Sequence, residues 1–117
     1  MSDCLFCKIV SQEIPAKIVF QDDQAVAFRD INPTAPTHVL VVPKKHIATI
    51  DDVAEGDEAL MGHLFRVASQ VAAAEGLSEQ GYRTVMNCKA GAGQSVFHVH
   101  LHVVGGKPLG WPPFPPG

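Results

Sequence analysis

The sequence predicts an α+β domain: a five-stranded antiparallel sheet, one main helix and a short N-terminal helix. Three observations carry this. From Val96 to Val104 the residues alternate with a period of two, which fits a strand. Between Asp57 and Glu75, Leu60, Leu64, Val67, Ala68 and Val71 recur at spacings of three and four, the pattern of an amphipathic helix. The other β-rich stretches are short and bounded by turn residues.

Taken in order, Ser2-Asp3 is expected to cap a short helix over Cys4–Ser11, with Pro15 after its end. Lys17–Phe20 and Ala25–Arg29 read as strands of a hairpin around Gln21-Asp22-Asp23-Gln24. The prolines at 33 and 36 make Asp30–Pro36 a loop. His38–Pro43 is expected as a buried strand, with Val39, Leu40, Val41 and Val42 a continuous apolar run, and Lys44-Lys45-His46 leaves it. One helical turn over Asp51–Glu55 precedes the main helix, which Asp57 and Glu58 favour at its N-terminus and Gly76 stops. His63 falls off the apolar stripe and reads as a surface or packing residue. Tyr82–Cys88 is the fourth strand, Ala90–Gly93 a turn, and the histidine strand the fifth. Gly105–Gly117 is an extended, proline-rich tail containing Trp111. The 117 residues make a single domain, with the tail from 105 to 117.

Composition excludes several classes. An apolar content of 46% and a charged content of 18% describe a globular chain. The formal net charge of −3 argues against a nucleic-acid or membrane-surface binder. No apolar run approaches the roughly 20 residues needed to span a bilayer, and no signal-peptide pattern is present, so a soluble cytoplasmic protein is expected.

The chemistry centres on His98, His100 and His102. On a strand they share one face while Val99, Leu101 and Val103 take the other, which the main helix is expected to cover. Same-face residues lie about 6.5–7 Å apart, so one small ion does not easily take all three, and the histidines are expected to differ in role. A neutral imidazole is a good nucleophile near pH 7, and attack on phosphorus gives a phosphohistidine-type intermediate that water can cleave. Gly91, Gly93, Gln94 and Ser95 can offer backbone N–H groups to an anion, and Asn87 an amide. A catalytic metal on His100 and His102 fits less well, because no HExxH motif is present and no carboxylate follows His102. Cys4-Leu5-Phe6-Cys7 is a single CxxC, a metal or redox pair in a reducing compartment, and any zinc there needs histidines from elsewhere.

His98-Val99-His100-Leu101-His102-Val103-Val104 resembles the signature of the histidine triad (HIT) superfamily. Glu13–Ala16, Ala27–Ile31, Ala35–His38, Gly91–Ser95 and the Gly105-Gly106 ending resemble its Hint branch. The resemblance implies a HIT-like fold and a homodimer whose sheets join into one of ten strands. It implies hydrolysis of adenosine or guanosine 5′-phosphoramidates, with AMP or GMP as the nucleotide and no cofactor required for catalysis. By position, His100 is the nucleophile, His102 hydrogen-bonds a phosphate oxygen, and His38 orients or relays protons. Ser95 lies near the leaving amine; Asn87, Gly93, Gln94 and Val96 help hold the phosphate. Asp30 accepts the ribose hydroxyls, and Phe6, Ile9, Phe28 and Ile31 shape the purine pocket. Similarity to zinc-bearing relatives implies a structural zinc on Cys4, Cys7, His46 and His98. The competing class is a nucleotide-binding interaction module with little turnover; the intact set of His38, His98, His100 and His102 favours the enzyme.

Overall fold

The computed structural model describes residues 3–114. Ser2 and the last three tail residues, 115–117, lie outside them. The elements in chain order are α1 (Leu5–Val10), β1 (Ile18–Gln21), β2 (Ala25–Arg29), β3 (Thr37–Pro43), α2 (Glu58–Ala74), β4 (Tyr82–Val85) and β5 (Leu101–Gly105). Two short 3-10 turns, Ile50–Asp52 and Glu55–Asp57, precede α2, and a third covers Ala90–Ala92. The sheet is antiparallel, in the order β1-β2-β3-β5-β4.

The expected single sheet, main helix and short N-terminal helix are present. β3 and all of β2 but Arg29 are buried because both faces of the sheet are covered, so their apolar residues do not alternate with polar ones. On one face, Ala25, Ala27, Val39, Val41, Leu101 and Val103 pack against Leu64, Val67, Ala68 and Val71 of α2. On the other, Val26, Phe28, Leu40 and Val42 pack against Phe6 and Ile9 of α1. Gly76 ends α2 as its position predicts. With φ at +77°, it lets Gly76 N–H reach Ala73 O and Leu77 N–H reach Ala72 O, a Schellman closure that buries Leu77. The hairpin turn is closed by Asp22, whose carboxylate accepts from Gln24 and Ala25 N–H. His63 ties this turn to α2, its Nε2 lying 2.7 Å from Asp22 Oδ2.

Four expectations need correction. The residue at the helix cap is Cys4, one place after Asp3: its Sγ accepts from Cys7 N–H at 3.4 Å. The histidine segment is a strand only from Leu101 onward. The last β3–β5 pair is Val41 with Leu101; two positions on, the residue in register with Val99 is Pro43, which has no N–H to give. Residues 96–100 stay outside the ladder, and Val99 N–H goes to Ile47 O instead. β4 stops at Val85 rather than Cys88, since its last pair is with His102, and His100 lies before the start of β5. The tail begins at Gly106, because Gly105 is still paired with Thr37 and Tyr82. Gly106 has φ at +95°, and a Cβ there would meet Pro36 at 2.9 Å, so glycine is required where the chain leaves the sheet. Beyond it, the Arg83 guanidinium donates to Gly110 O, while Trp111 and Phe114 are 82% and 67% exposed.

Candidate active site and metal-ligand cluster

The triad segment runs along the α1 face of the sheet, and its three histidines take three separate environments. His102 lies opposite Leu40 on β3, close to His38 two residues earlier on that strand. His38 Nε2 and His102 Nδ1 are 2.8 Å apart. Thr34 N–H donates to His38 Nδ1 at 3.1 Å, so the neutral ring carries its proton on Nε2. His38 therefore donates to His102 Nδ1, and His102 keeps its own proton on Nε2. Asp30 Oδ2 lies 3.5 Å from His38 Nε2, while its Oδ1 accepts from Asn32 N–H. Burial, with His100 and His38 nearby, pushes the His102 pKa down to about 4.

His100 is buried, and its Nδ1 is 2.8 Å from His98 O. A carbonyl only accepts, so the proton sits on Nδ1 and the Nε2 lone pair is left for chemistry. Burial holds this imidazole below its ordinary pKa, against the opposing effects of the His98 carbonyl and Asp30, and thus neutral. The ring lies edge-on to Phe6, with centroids 4.9 Å apart and an interplanar angle of 89°. An unprotonated ring nitrogen next to a neutral hydrogen-bond relay is an arrangement suited to nucleophilic attack.

His98, fully buried, belongs to a second group of side chains. Its Nε2 donates to Pro43 O at 2.7 Å, which leaves Nδ1 as a lone pair aimed at Cys4, Cys7 and His46. Burial lowers its pKa as well, keeping that lone pair available. One ligand atom from each of the four residues lies within 4.8 Å of the others. A tetrahedral zinc with Zn–S of about 2.3 Å and Zn–N of about 2.0–2.1 Å requires N···N of about 3.3 Å and S···N of about 3.5–3.6 Å. The corresponding distances are 3.3 Å for His46–His98, 3.3 Å for Cys7–His46, and 3.4 and 3.5 Å from His98 to Cys4 and Cys7. Donor types, tautomer and edge lengths all fit the metal. Asp30, His38 and His102 also group closely, but there the protons fixed by Thr34 make a relay rather than a ligand set.

The loop before the triad serves mainly as scaffold. Gln94 is buried; its side-chain oxygen accepts from Lys89 N–H at 2.6 Å, and its amide donates to Ala48 O and Val96 O. Gly93 N–H and Gln94 N–H are spent on Ala90 O and Lys89 O inside the turn. The anion donors expected there thus narrow to Gly91 and Ser95. Ser95 is exposed and lines an open cleft with Val96, Phe97 and the start of α1. Asn87 is half-buried just past β4, and the β4–β5 register directs that chain toward His100. Phe6, Ile9 and Phe28 join one buried cluster, whereas Ile31 is 91% exposed and stands apart from it. Sequence reading missed Thr34 and Pro43, which set the tautomers of His38 and His98. Thr34, four residues from His38 in the proline loop, left a faint local signal; Pro43, 55 residues from His98, left none.

The HIT domain family model matches residues 11–109. The purine nucleoside phosphoramidase of Escherichia coli K12 is 47% identical over 108 residues, covering 92% of this chain and 91% of its own. An uncharacterized HIT-like protein of Synechococcus elongatus is 50% identical over 111 residues, 95% of this chain and 96% of its own. Among solved structures, a HIT family hydrolase from Legionella pneumophila superposes with a TM-score of 0.94 at 55% identity, over 96% of this chain and 100% of its own. A histidine triad protein from Clostridium difficile gives 0.91 at 41%, over 94% and 96%. Sequence match, superposition and the arrangement of its histidines agree: the chain belongs to the HIT domain family.

Proposed function

We propose that this protein hydrolyses the P–N bond of adenosine or guanosine 5′-phosphoramidates through a nucleotidyl intermediate on His100. The observation that carries the reading is the His100 ring, neutral and anchored through Nδ1–H so that Nε2 presents a lone pair. The phosphoramidase relative from Escherichia coli supports the substrate class. His100 Nε2 attacks the α-phosphorus while His98 O stabilises the charge that forms on the ring. The P–N bond breaks, and the nitrogen takes a proton and departs as the amine, near Ser95. Water then attacks phosphorus, the P–His bond breaks, the nucleoside monophosphate leaves and a proton returns to solvent. His102, oriented by His38, donates its Nε2–H to a phosphate oxygen in both steps. Asn87 and Ser95 border the phosphate on a loop that Gly93, Gln94 and Val96 shape, Asp30 Oδ2 accepts from the ribose diol, and Phe6, Ile9 and Phe28 form one wall of the base pocket with the exposed Ile31 at its rim.

Catalysis needs no metal in this scheme. Cys4, Cys7, His46 and His98 would hold a structural zinc, which would tie α1 to the segments that follow β3 and precede β5. The functional form is a homodimer. β4 lies at the edge of the sheet, where a second copy can extend it to ten strands, and the exposed Trp111 is free to reach the partner. No nucleic acid or membrane partner is involved; among the described residues no helix is long and apolar enough to cross a membrane.

Rapid-quench assays with adenosine phosphoramidates of several amines test the scheme. The expected result is amine release together with an adenylyl group on a His100 peptide by mass spectrometry. Nucleotide binding with no amine release would assign the chain to the interaction-module class instead.

A further inference from the structure

Phe6 does more than line a pocket. It lies between Cys4 and Cys7 in sequence, and its ring touches members of both functional groups. The centroid of the Phe6 ring is 4.9 Å from that of His100, 6.1 Å from that of His98 and 5.4 Å from that of Phe28, with interplanar angles of 89°, 69° and 71°. The hydrogen bond from His100 Nδ1 to His98 O fixes one point of the reacting ring, and the His102 ring, 5.0 Å away between centroids, bounds one side, which leaves rocking away from His102 to be restrained. The perpendicular Phe6 ring closes off that motion. α1, with six residues, is too short to hold its place by helix propensity. What fixes it is the burial of Phe6 and Ile9 together with the contacts of both cysteines to His98.

We propose that Phe6 is a positioning residue for His100, and that α1 transmits the geometry of the Cys4–Cys7–His46–His98 cluster to the reacting imidazole. The inference rests on the phosphoramidase reading for its kinetic consequence, but not for its structural one. Cys4 and Cys7 anchor both ends of one helical turn, so a metal closing the cluster leaves the Phe6 side chain between them little freedom to shift. With the cluster open, α1 can drift, and the wall beside His100 drifts with it. A displacement near 1 Å at a reacting group costs on the order of 10²-fold in rate.

The test compares metal-replete wild type, Phe6→Leu, Phe28→Leu and chelator-stripped wild type. Phe6→Leu keeps an apolar side chain but loses the perpendicular ring; Phe6→Met replaces it if the leucine variant does not fold. Two readouts are taken: the split between kcat and KM, and the NMR resonance of His100 Nδ1–H in the free protein. Phe6→Leu is expected to lower kcat by about 10- to 100-fold and, because the ring also meets the base, to raise KM as Phe28→Leu does. Its Nδ1–H signal should broaden or exchange rapidly with solvent. Phe28→Leu removes a neighbouring ring from the same cluster without touching His100; it should raise KM and leave the resonance in place. Stripped wild type should reproduce the loss of the resonance seen in Phe6→Leu. A Phe6→Leu protein that keeps both kcat and the resonance overturns the proposal. A stripped protein that keeps the resonance while Phe6→Leu loses it overturns transmission from the cluster. Wild type with no phosphoramidase turnover but a sharp resonance, lost in Phe6→Leu, defeats the functional reading and upholds the positioning role.

Discussion

Replacing His102 by glutamine should remove much of the acid sensitivity of this fold. In the folded chain, burial first, then the nearby His100 and His38, pushes the His102 pKa from 6.5 down to about 4. Below pH 6.5 the unfolded chain therefore takes up a proton that the folded chain refuses. Where the unfolded state binds more protons, stability rises with pH, so His102 costs stability as pH falls from 6.5 towards 4. The difference of 6.5 − 4 = 2.5 pKa units corresponds to about 3 kcal/mol once both states have titrated. At pH 5 the same linkage gives about 2 kcal/mol, a drop of roughly 10 °C in Tm for a domain of this size. Urea unfolding at pH 7 and pH 5 measures it, with chelator present throughout so that metal release does not contribute. Wild type should lose about 2 kcal/mol more than His102→Gln between the two pH values. Glutamine keeps an amide donor and acceptor beside His38 but has no proton to gain. Parallel losses in the two proteins would show that His102 titrates alike in the folded and unfolded chains, and the neutral-donor role assigned to it would go as well.

His100→Ala or His100→Gly should abolish turnover and leave AMP affinity within about tenfold, or 1.4 kcal/mol, because the nucleophile acts mainly in the transition state. A variant with a tenth of the wild-type rate would exclude His100 as nucleophile. Asp30→Ala should weaken ribonucleotides by about 1.5–3 kcal/mol more than their 2′,3′-dideoxy analogues in calorimetric titrations. Loss of the Asn32 N–H contact affects both ligands alike, so equal weakening would mean that Asp30 supports only its loop. Protein purified without chelator should carry about one zinc per chain by elemental analysis, as a Cys2His2 set of this geometry accommodates. Cys4→Ser/Cys7→Ser should lose the metal and melt lower; full occupancy in that variant would place any zinc elsewhere. Deleting residues 107–117 removes the exposed Trp111 and should alter kcat/KM ratios among amine leaving groups while sparing AMP affinity and the dimer. Flat ratios would take the tail out of substrate choice, and monomers in sedimentation would make it an assembly element.

Much of the framework was legible in the sequence because it depends on local regularities. The stripe from Leu64 to Val71 and the stop at Gly76 specify α2, and Val39–Val42 marks a strand covered on both faces. The alternation of Leu101, His102 and Val103 separates core from site, because a strand points successive side chains to opposite faces. The metal-ligand set was suggested by resemblance, since Cys4 and His98 lie 94 residues apart and no local pattern joins them. Periodicity also carried the histidine strand too far, as it does not register that Pro43 lacks the N–H to extend the ladder. The tertiary structure alone decided the chemical state of each histidine. His38 is set by Thr34 N–H, His98 by Pro43 O, and His100 by His98 O and the ring of Phe6. A side chain's direction follows from the backbone it stands on, but which of its nitrogens keeps the proton depends on the group that folding brings opposite.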